Sequence, residues 1–212
     1  MRIERLALVF VSCQNFTEGY YTVYQDLVQR DLDVVLHLGD YIYEGGDSSR
    51  ALRRYTRLTE TLTLDDYRVR HADYKSDPDL QAVHAAFPLV LTWDDHKVDN
   101  NYATNDSDPD SPPEQFLQRR AAYQAYYEHL PLRAAQRPVG PNPQMNRRLS
   151  FGDLMQVHVL DTRQYRSDQP RCSTPDCPEA LDPSRTMPGA GQELWLQNGL
   201  GASSSVWDVL AN

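Results

Sequence analysis

No run of apolar residues approaches the roughly 20 needed for a bilayer-spanning helix, so no membrane span is expected. Cysteine is scarce, and three residues do not make a disulfide scaffold. Positive charge is scarce too: 21 Lys plus Arg face 30 Asp plus Glu, for a formal charge of -9. Grip on nucleic acid or on an anionic membrane works through clustered cations, which disfavours both partners. Also missing are the Gly-x-Ser-x-Gly elbow, the P-loop and the Rossmann glycine pattern. An acidic chain that handles anionic substrates needs positive charge from elsewhere, and metal ions are the natural source. What remains is a 212-residue chain, 40% hydrophobic and 24% charged, which suits one folded domain or one and a fraction.

The N-terminal stretch Met1 to Cys13 loosely resembles a lipoprotein signal, with early arginines and a Cys after a small residue. Glu4 breaks its basic region, and the apolar run Leu6 to Val11 is too short for a signal core. A buried strand explains the same residues better, and no export signal is expected. Tyr20, Val23, Tyr24, Leu27 and Val28 recur at helical spacing, and Val34 to Leu38 follows as a second buried strand. Strand, helix, strand predicts a parallel pair with a right-handed crossover. Ala51 to Ala86 is charged and mostly helical in pattern, without an obvious core of its own; Thr63 and Asp77 open its helices. Pro88 to Thr92 is a third strand, Ser111 to Glu114 a helix cap, and Phe116, Tyr123, Tyr127 and Leu130 the stripe of that helix. Arg148 to Phe151 and Leu154 to Leu160 predict a hairpin, Gly191 to Leu200 a helix and Val206 to Leu210 a last strand. The alternation gives an α/β class.

Three strands end in unusual polar runs: Ser12-Cys13-Gln14, Gly39-Asp40-Tyr41-Ile42-Tyr43-Glu44 and Trp93-Asp94-Asp95-His96. In a parallel sheet those carboxyl ends are the ligand side. A thiolate, carboxylates, a phenol and an imidazole in one crevice suit a transition metal beside a harder cation. Asp106, Asp108 and Asp110 have EF-hand spacing, but Ser111 and Leu117 stand where Gly and Glu are required, leaving a solvated loop. Cys172 and Cys177 predict a local disulfide rather than zinc, as suits an exported protein.

The runs SCQ, LHLGDYIYEGG, LTWDDHKVDNNYA and VLDTRQYR together resemble the PhoD-type alkaline phosphatases and phosphodiesterases of the metallophosphatase superfamily. The resemblance implies a layered β-sandwich flanked by helices. It implies hydrolysis of phosphate mono- and diesters with a ferric ion and calcium, on small phosphoester substrates, in a secreted or periplasmic protein. Position by position, it makes Cys13, Asp40 and Tyr43 iron ligands, with Asp40 bridging to calcium. Asp95 and Asn100 match the second ligand motif, with Asn101 the alternative to Asn100. His96 matches the histidine that contacts phosphate or the leaving group. Arg163 is the candidate phosphate-binding guanidinium, since its planar fork suits phosphate oxygens.

Two departures stand out. Lys97 replaces the Glu usual after the DDH run, placing a cation beside cations and removing an acceptor. The six histidines include no Gly-His pair, so the further Asp and His ligands of the superfamily's second half are missing. Residues 1–212 therefore read as the N-terminal part of a PhoD-like catalytic domain, incomplete at its second half. The alternative is an inactive truncated remnant that binds metal or phosphate without turnover.

Overall fold

The computed structural model describes residues 3–103, 120–139, 143–172, 174 and 176–212. The acidic loop with Asp106, Asp108 and Asp110, the Ser111 cap and Phe116 lie outside the described residues. In chain order the described elements are β1 (Leu8–Val11), α1 (Val23–Leu27), β2 (Val34–His37), α2 (Leu64–Lys75), α3 (Pro78–Ala86), β3 (Leu89–Leu91), α4 (Ala122–His129), β4 (Arg147–Phe151), β5 (Met155–Val159), α5 (Ala190–Ala202) and β6 (Trp207–Ala211). The class is mixed α/β, as expected.

Among the described residues, two three-stranded sheets form. The first, β1-β2-β3, is parallel throughout, with Leu8 opposite Val34 and Val35 opposite Leu89. The second, β4-β5-β6, pairs β4 antiparallel and β6 parallel to β5, and its hairpin turns at Gly152 with φ 56°. Alternation along the first sheet sorts its side chains between two apolar clusters. Val9, Val11, Val35, Leu89 and Leu91 join the larger cluster with the helices. Leu8, Leu38 and Val90 point the other way and pack with Leu149, Phe151, Met155, Val157 and Val159 of the second sheet. Thr92 ties the sheets, its hydroxyl donating to the Leu160 carbonyl at 2.6 Å.

Local signals explain the helix starts. The Thr63 side chain accepts from the Asp66 amide while the Asp66 carboxylate accepts from the Thr63 amide, a reciprocal cap for α2. Asp77 caps α3 ahead of Pro78 at the first helical position. Three expectations are corrected. The helix read from Tyr20 covers only Val23–Leu27, because Tyr20 and Val23 are solvent-exposed and only Tyr24 and Leu27 anchor it. The stretch before Thr63 is irregular rather than helical. And α2 and α3 do carry core: Tyr67, Tyr74, Leu80 and Val83 are buried in the main cluster. The two tyrosines read as polar in sequence, yet Tyr67 donates its hydroxyl to the Val98 carbonyl at 2.8 Å and so buries its ring without loss.

Candidate metal centre

The site is built where β1 and β2 end. Backbone pairing continues past both strands, with the Cys13 amide donating to Gly39 O and the Gln14 amide to Asp40 O. Cys13 and Asp40 then both turn left-handed, at φ 57° and 52°, a conformation that costs on the order of 1–3 kcal/mol for side chains with a Cβ. Gly39 precedes Asp40 at φ 122°, and a Cβ there would stand 2.7 Å from the Asp94 Cβ. Only glycine permits that approach, and the approach brings the end of β3 against the end of β2.

Asp40 is buried, 6% exposed. Its Oδ2 faces the Cys13 Sγ at 3.6 Å and the Tyr43 hydroxyl at 3.5 Å. Its Oδ1 is buried with no hydrogen-bond partner among the described residues. Burial, reinforced by the Asp95 and Asp94 carboxylates against the opposing pull of His96, pushes the Asp40 carboxyl up to about 6. Burial and the adjacent Asp40 and Cys13 push the Tyr43 phenol upward.

A short 3-10 turn, Asp95–Lys97, supplies the other wall. Asp95 accepts the Asn101 amide at 2.7 Å on Oδ2 and meets Arg163 Nη2 at 3.3 Å on Oδ1. Burial raises its carboxyl, but the Asn101 amide, Arg163 and His96 outweigh that and hold it below the usual range. His96 stacks on the Tyr43 ring with centroids 4.2 Å apart, and its Nδ1 lies 2.9 Å from Glu44 Oε2. Burial lowers the imidazole, yet Glu44 first, then Asp95 and Asp40, lift it to about 9. One ligand atom each from Asp40, Asp95 and His96 lie within 4.8 Å of one another. An orphaned buried carboxylate oxygen inside such a group fits a cation. The soft Cys13 sulfur and the Tyr43 phenol beside it add the donors a transition metal prefers.

Five residues singled out in the sequence therefore meet here: Cys13, Asp40, Tyr43, Asp95 and His96. Asn100 sits at the rim, half-buried, its backbone amide donating to Glu44 Oε1 at 3.0 Å. Asn101 is exposed, and its side-chain oxygen accepts from Gln169, pointing away from the acids. Arg163 grips Asp94 through Nε and Asp95 through Nη2, while its Nη1 is buried without a hydrogen-bond partner among the described residues. It lines a cavity of about 340 Å³ with Ser12, Cys13, Gly39, Asp94 and Arg166. A larger cavity of about 650 Å³ around Gln144, Gln192 and Trp195 offers no carboxylate, thiol or imidazole.

Sequence reasoning missed Glu44 and Asp94, the acids that hold His96 and Arg163. Both lie inside the quoted strand-end runs, and an acid there was the available signal. Lys97 does not approach the cluster from its place in the motif. Its ammonium is buried in the helical core, 2.8 Å from His71 Nε2.

The model of the PhoD-like phosphatase family matches residues 8–212. Alkaline phosphatase D of Bacillus subtilis (strain 168) is 48% identical, over 99% of this chain and 37% of the relative. A solved structure of PhoD aligns with a TM-score of 0.92 at 48% identity, covering 97% of this chain and 41% of that one. This chain thus spans well under half the length of the relatives it matches. Sequence and fold agree along almost its whole length: the chain belongs to the PhoD-like phosphatase family.

Proposed function

We propose that residues 1–212 form the N-terminal part of a metal-dependent phosphoric ester hydrolase acting on small phosphate mono- or diesters. The observation that carries this is the convergence of Asp40, Asp95 and His96 with Cys13 and Tyr43 at adjoining strand ends. In this reading Cys13, Asp40 and Tyr43 hold a ferric ion, and Asp40, Asp95 and Asn100 hold calcium beside it. Such ions, when bound, neutralise charge on phosphate oxygens and lower the pKa of coordinated water. His96, fixed by Glu44, carries a proton that it can place near the leaving oxygen. The spare Nη1 donor of Arg163, on the cavity wall, is aimed for a phosphate oxygen. The sheets pack as the first half of a layered sandwich, supported by the cluster they share.

The Cys172–Cys177 bridge supports an oxidising, secreted or periplasmic setting. No helix among the described residues is long and apolar enough to cross a membrane.

Iron supplies the decisive test. A phenolate on ferric iron absorbs visible light, whereas calcium, magnesium and zinc give no such band. The half-buried Tyr43 phenol holds its proton strongly, so only a highly charged ion can take its place. Iron loading should therefore colour the protein, and Tyr43→Phe should bleach or strongly shift the band while sparing the fold. A coloured protein whose spectrum ignores Tyr43→Phe would remove Tyr43 from the ligand set. Cys13→Ser should weaken iron retention, replacing a soft thiolate with a neutral hydroxyl.

A second reading, metal or phosphate binding without turnover, is favoured by one fact: the chain covers 37% of its phosphatase relative. We expect the 212-residue chain, given iron and calcium, to hydrolyse p-nitrophenyl phosphate and its bis ester only feebly. Robust metal-dependent turnover would show that the first-half ligands suffice.

A further inference from the structure

We infer that Glu44 is the positioning residue of this centre, the group that sets which nitrogen His96 presents and where the 95–101 loop stands. The inference deepens the proposed function and rests on it for the metal. Each oxygen of the buried Glu44 carboxylate has one task. Oε2 meets His96 Nδ1 at 2.9 Å, and Oε1 accepts the Asn100 amide at 3.0 Å. A carboxylate only accepts, so the His96 nitrogen facing it must be the one bearing hydrogen. Charged or neutral, the ring keeps hydrogen on Nδ1 and leaves Nε2 as its working face, an Nε2–H in the charged ring and a lone pair in the neutral tautomer. Because the same carboxylate holds the Asn100 amide, both ends of the segment from His96 to Asn100 are tied to the turn that carries Asp40 and Tyr43.

Glu44 is itself held rigidly. Its carbonyl accepts the Thr61 amide at 2.9 Å. The fully buried guanidinium of Arg70 donates to the carbonyls on either side, Tyr43 and Gly45, the latter at 2.7 Å. The Arg70 fork also reaches the Thr59 carbonyl at 3.1 Å and lies 3.5 Å over the Tyr55 ring. The path from core to site is therefore continuous: Arg70 fixes the backbone at 43–45, which aims Glu44, which aims His96 and Asn100.

The test uses the 212-residue chain, calcium alone as probe, and two readouts. Calcium titration by calorimetry should show Glu44→Gln binding 10- to 100-fold more weakly, the range typical of groups that orient metal ligands. Long-range proton–nitrogen NMR of the metal-free chain, recorded at about pH 10 where the ring is neutral, should show His96 as Nδ1–H in the parent and as a tautomer mixture in Glu44→Gln. In a His96→Gln background the effect of Glu44→Gln on calcium affinity should shrink by at least half, since part of it acts through the ring. Should Glu44→Gln unfold the chain, Glu44→Asp replaces it, keeping the charge but withdrawing the oxygens, with the same loss expected. Unchanged calcium affinity together with an unchanged His96 tautomer would overturn the inference. Failure of the parent to bind calcium would count against the proposed function instead, and the tautomer measurement would still decide the role of Glu44.

Discussion

Lys97→Met stabilises this protein at pH 7, by about 1–4 kcal/mol, and the gain fades as the pH rises toward 10. Lys97 is 1% exposed, and among the described residues burial alone, with no facing carboxylate, sets the state of its ammonium. It sits against His71 Nε2, with the Tyr126 ring 4.9 Å and the Tyr67 ring 5.7 Å away. Burial drives its pKa well below 10.5. For a base so depressed, the unfolded chain binds a proton that the folded chain refuses. Stability must then rise with pH, by about 1.4 kcal/mol per unit, from the depressed folded value up to 10.5. Methionine removes that proton from both states and fills the same channel with apolar atoms. One cost opposes the gain: His71 loses its partner at Nε2, and its Nδ1 is already buried without one. Urea unfolding at pH 7, 8, 9 and 10 measures the difference. Parallel pH profiles for the parent and Lys97→Met, or a less stable variant at pH 7, would show that the ammonium stays charged and is well solvated by the aromatic rings.

Asp40→Asn should give two effects of opposite sign. Without metal, the variant should be more stable than the parent at pH 7 by about 1–2 kcal/mol, discounted for the solvent that reaches the cleft. The folded carboxyl, pushed up to about 6, ionises less readily than its unfolded counterpart at 3.8. Stability is therefore lost as pH rises through that window, and the penalty persists above it. Asparagine carries no charge, and it tolerates the left-handed φ of 52° at this position better than most residues. With calcium or iron present the order should reverse. The parent should gain thermal stability by binding, and Asp40→Asn should gain almost none, because the one carboxylate shared by both proposed ions is gone. Melting temperatures with and without each metal settle both halves. A variant that loses stability without metal would show that the ionised carboxylate supports the fold, and one that responds to metal like the parent would place the cation elsewhere.

Much of this centre was legible in the sequence because strand ends of a parallel sheet are a small target. Short apolar runs marked β1, β2 and β3, and whatever followed each run had to share one edge. That placed Cys13, Asp40, Tyr43, Asp95 and His96 together without any side-chain coordinates. The rest depended on directions that spacing does not encode. Asp95, His96 and Lys97 occupy a 3-10 turn, where successive residues point about 120° apart. Two of them face the cleft, and the third is driven into the core. Glu44 lies beyond its strand, and its aim is set by Arg70, 26 positions away in the chain. The core of α2 escaped notice for a different reason. It is built from tyrosines, whose hydroxyls find partners such as the Tyr55–Tyr74 pair at 2.9 Å, so a scan for Leu, Ile and Val passes over it.

The order of these residues along the chain has a consequence for how the centre is made. Every proposed ligand, from Cys13 to Asn100, belongs to the first sheet and the turns that end its strands, whereas the Arg163 clamp arrives with the second sheet. Synthesis proceeds from the N-terminus at about 5–20 residues per second, so on the order of 3–12 s separates the last ligand from the guanidinium. During that interval the growing polypeptide offers its thiol, phenol and carboxylates with no guanidinium on Asp95. If the proposed ligands hold a metal, an ion captured in that interval would meet Asp95 before the guanidinium does. Metal identity would then depend partly on where and when the protein folds, and not on donor atoms alone.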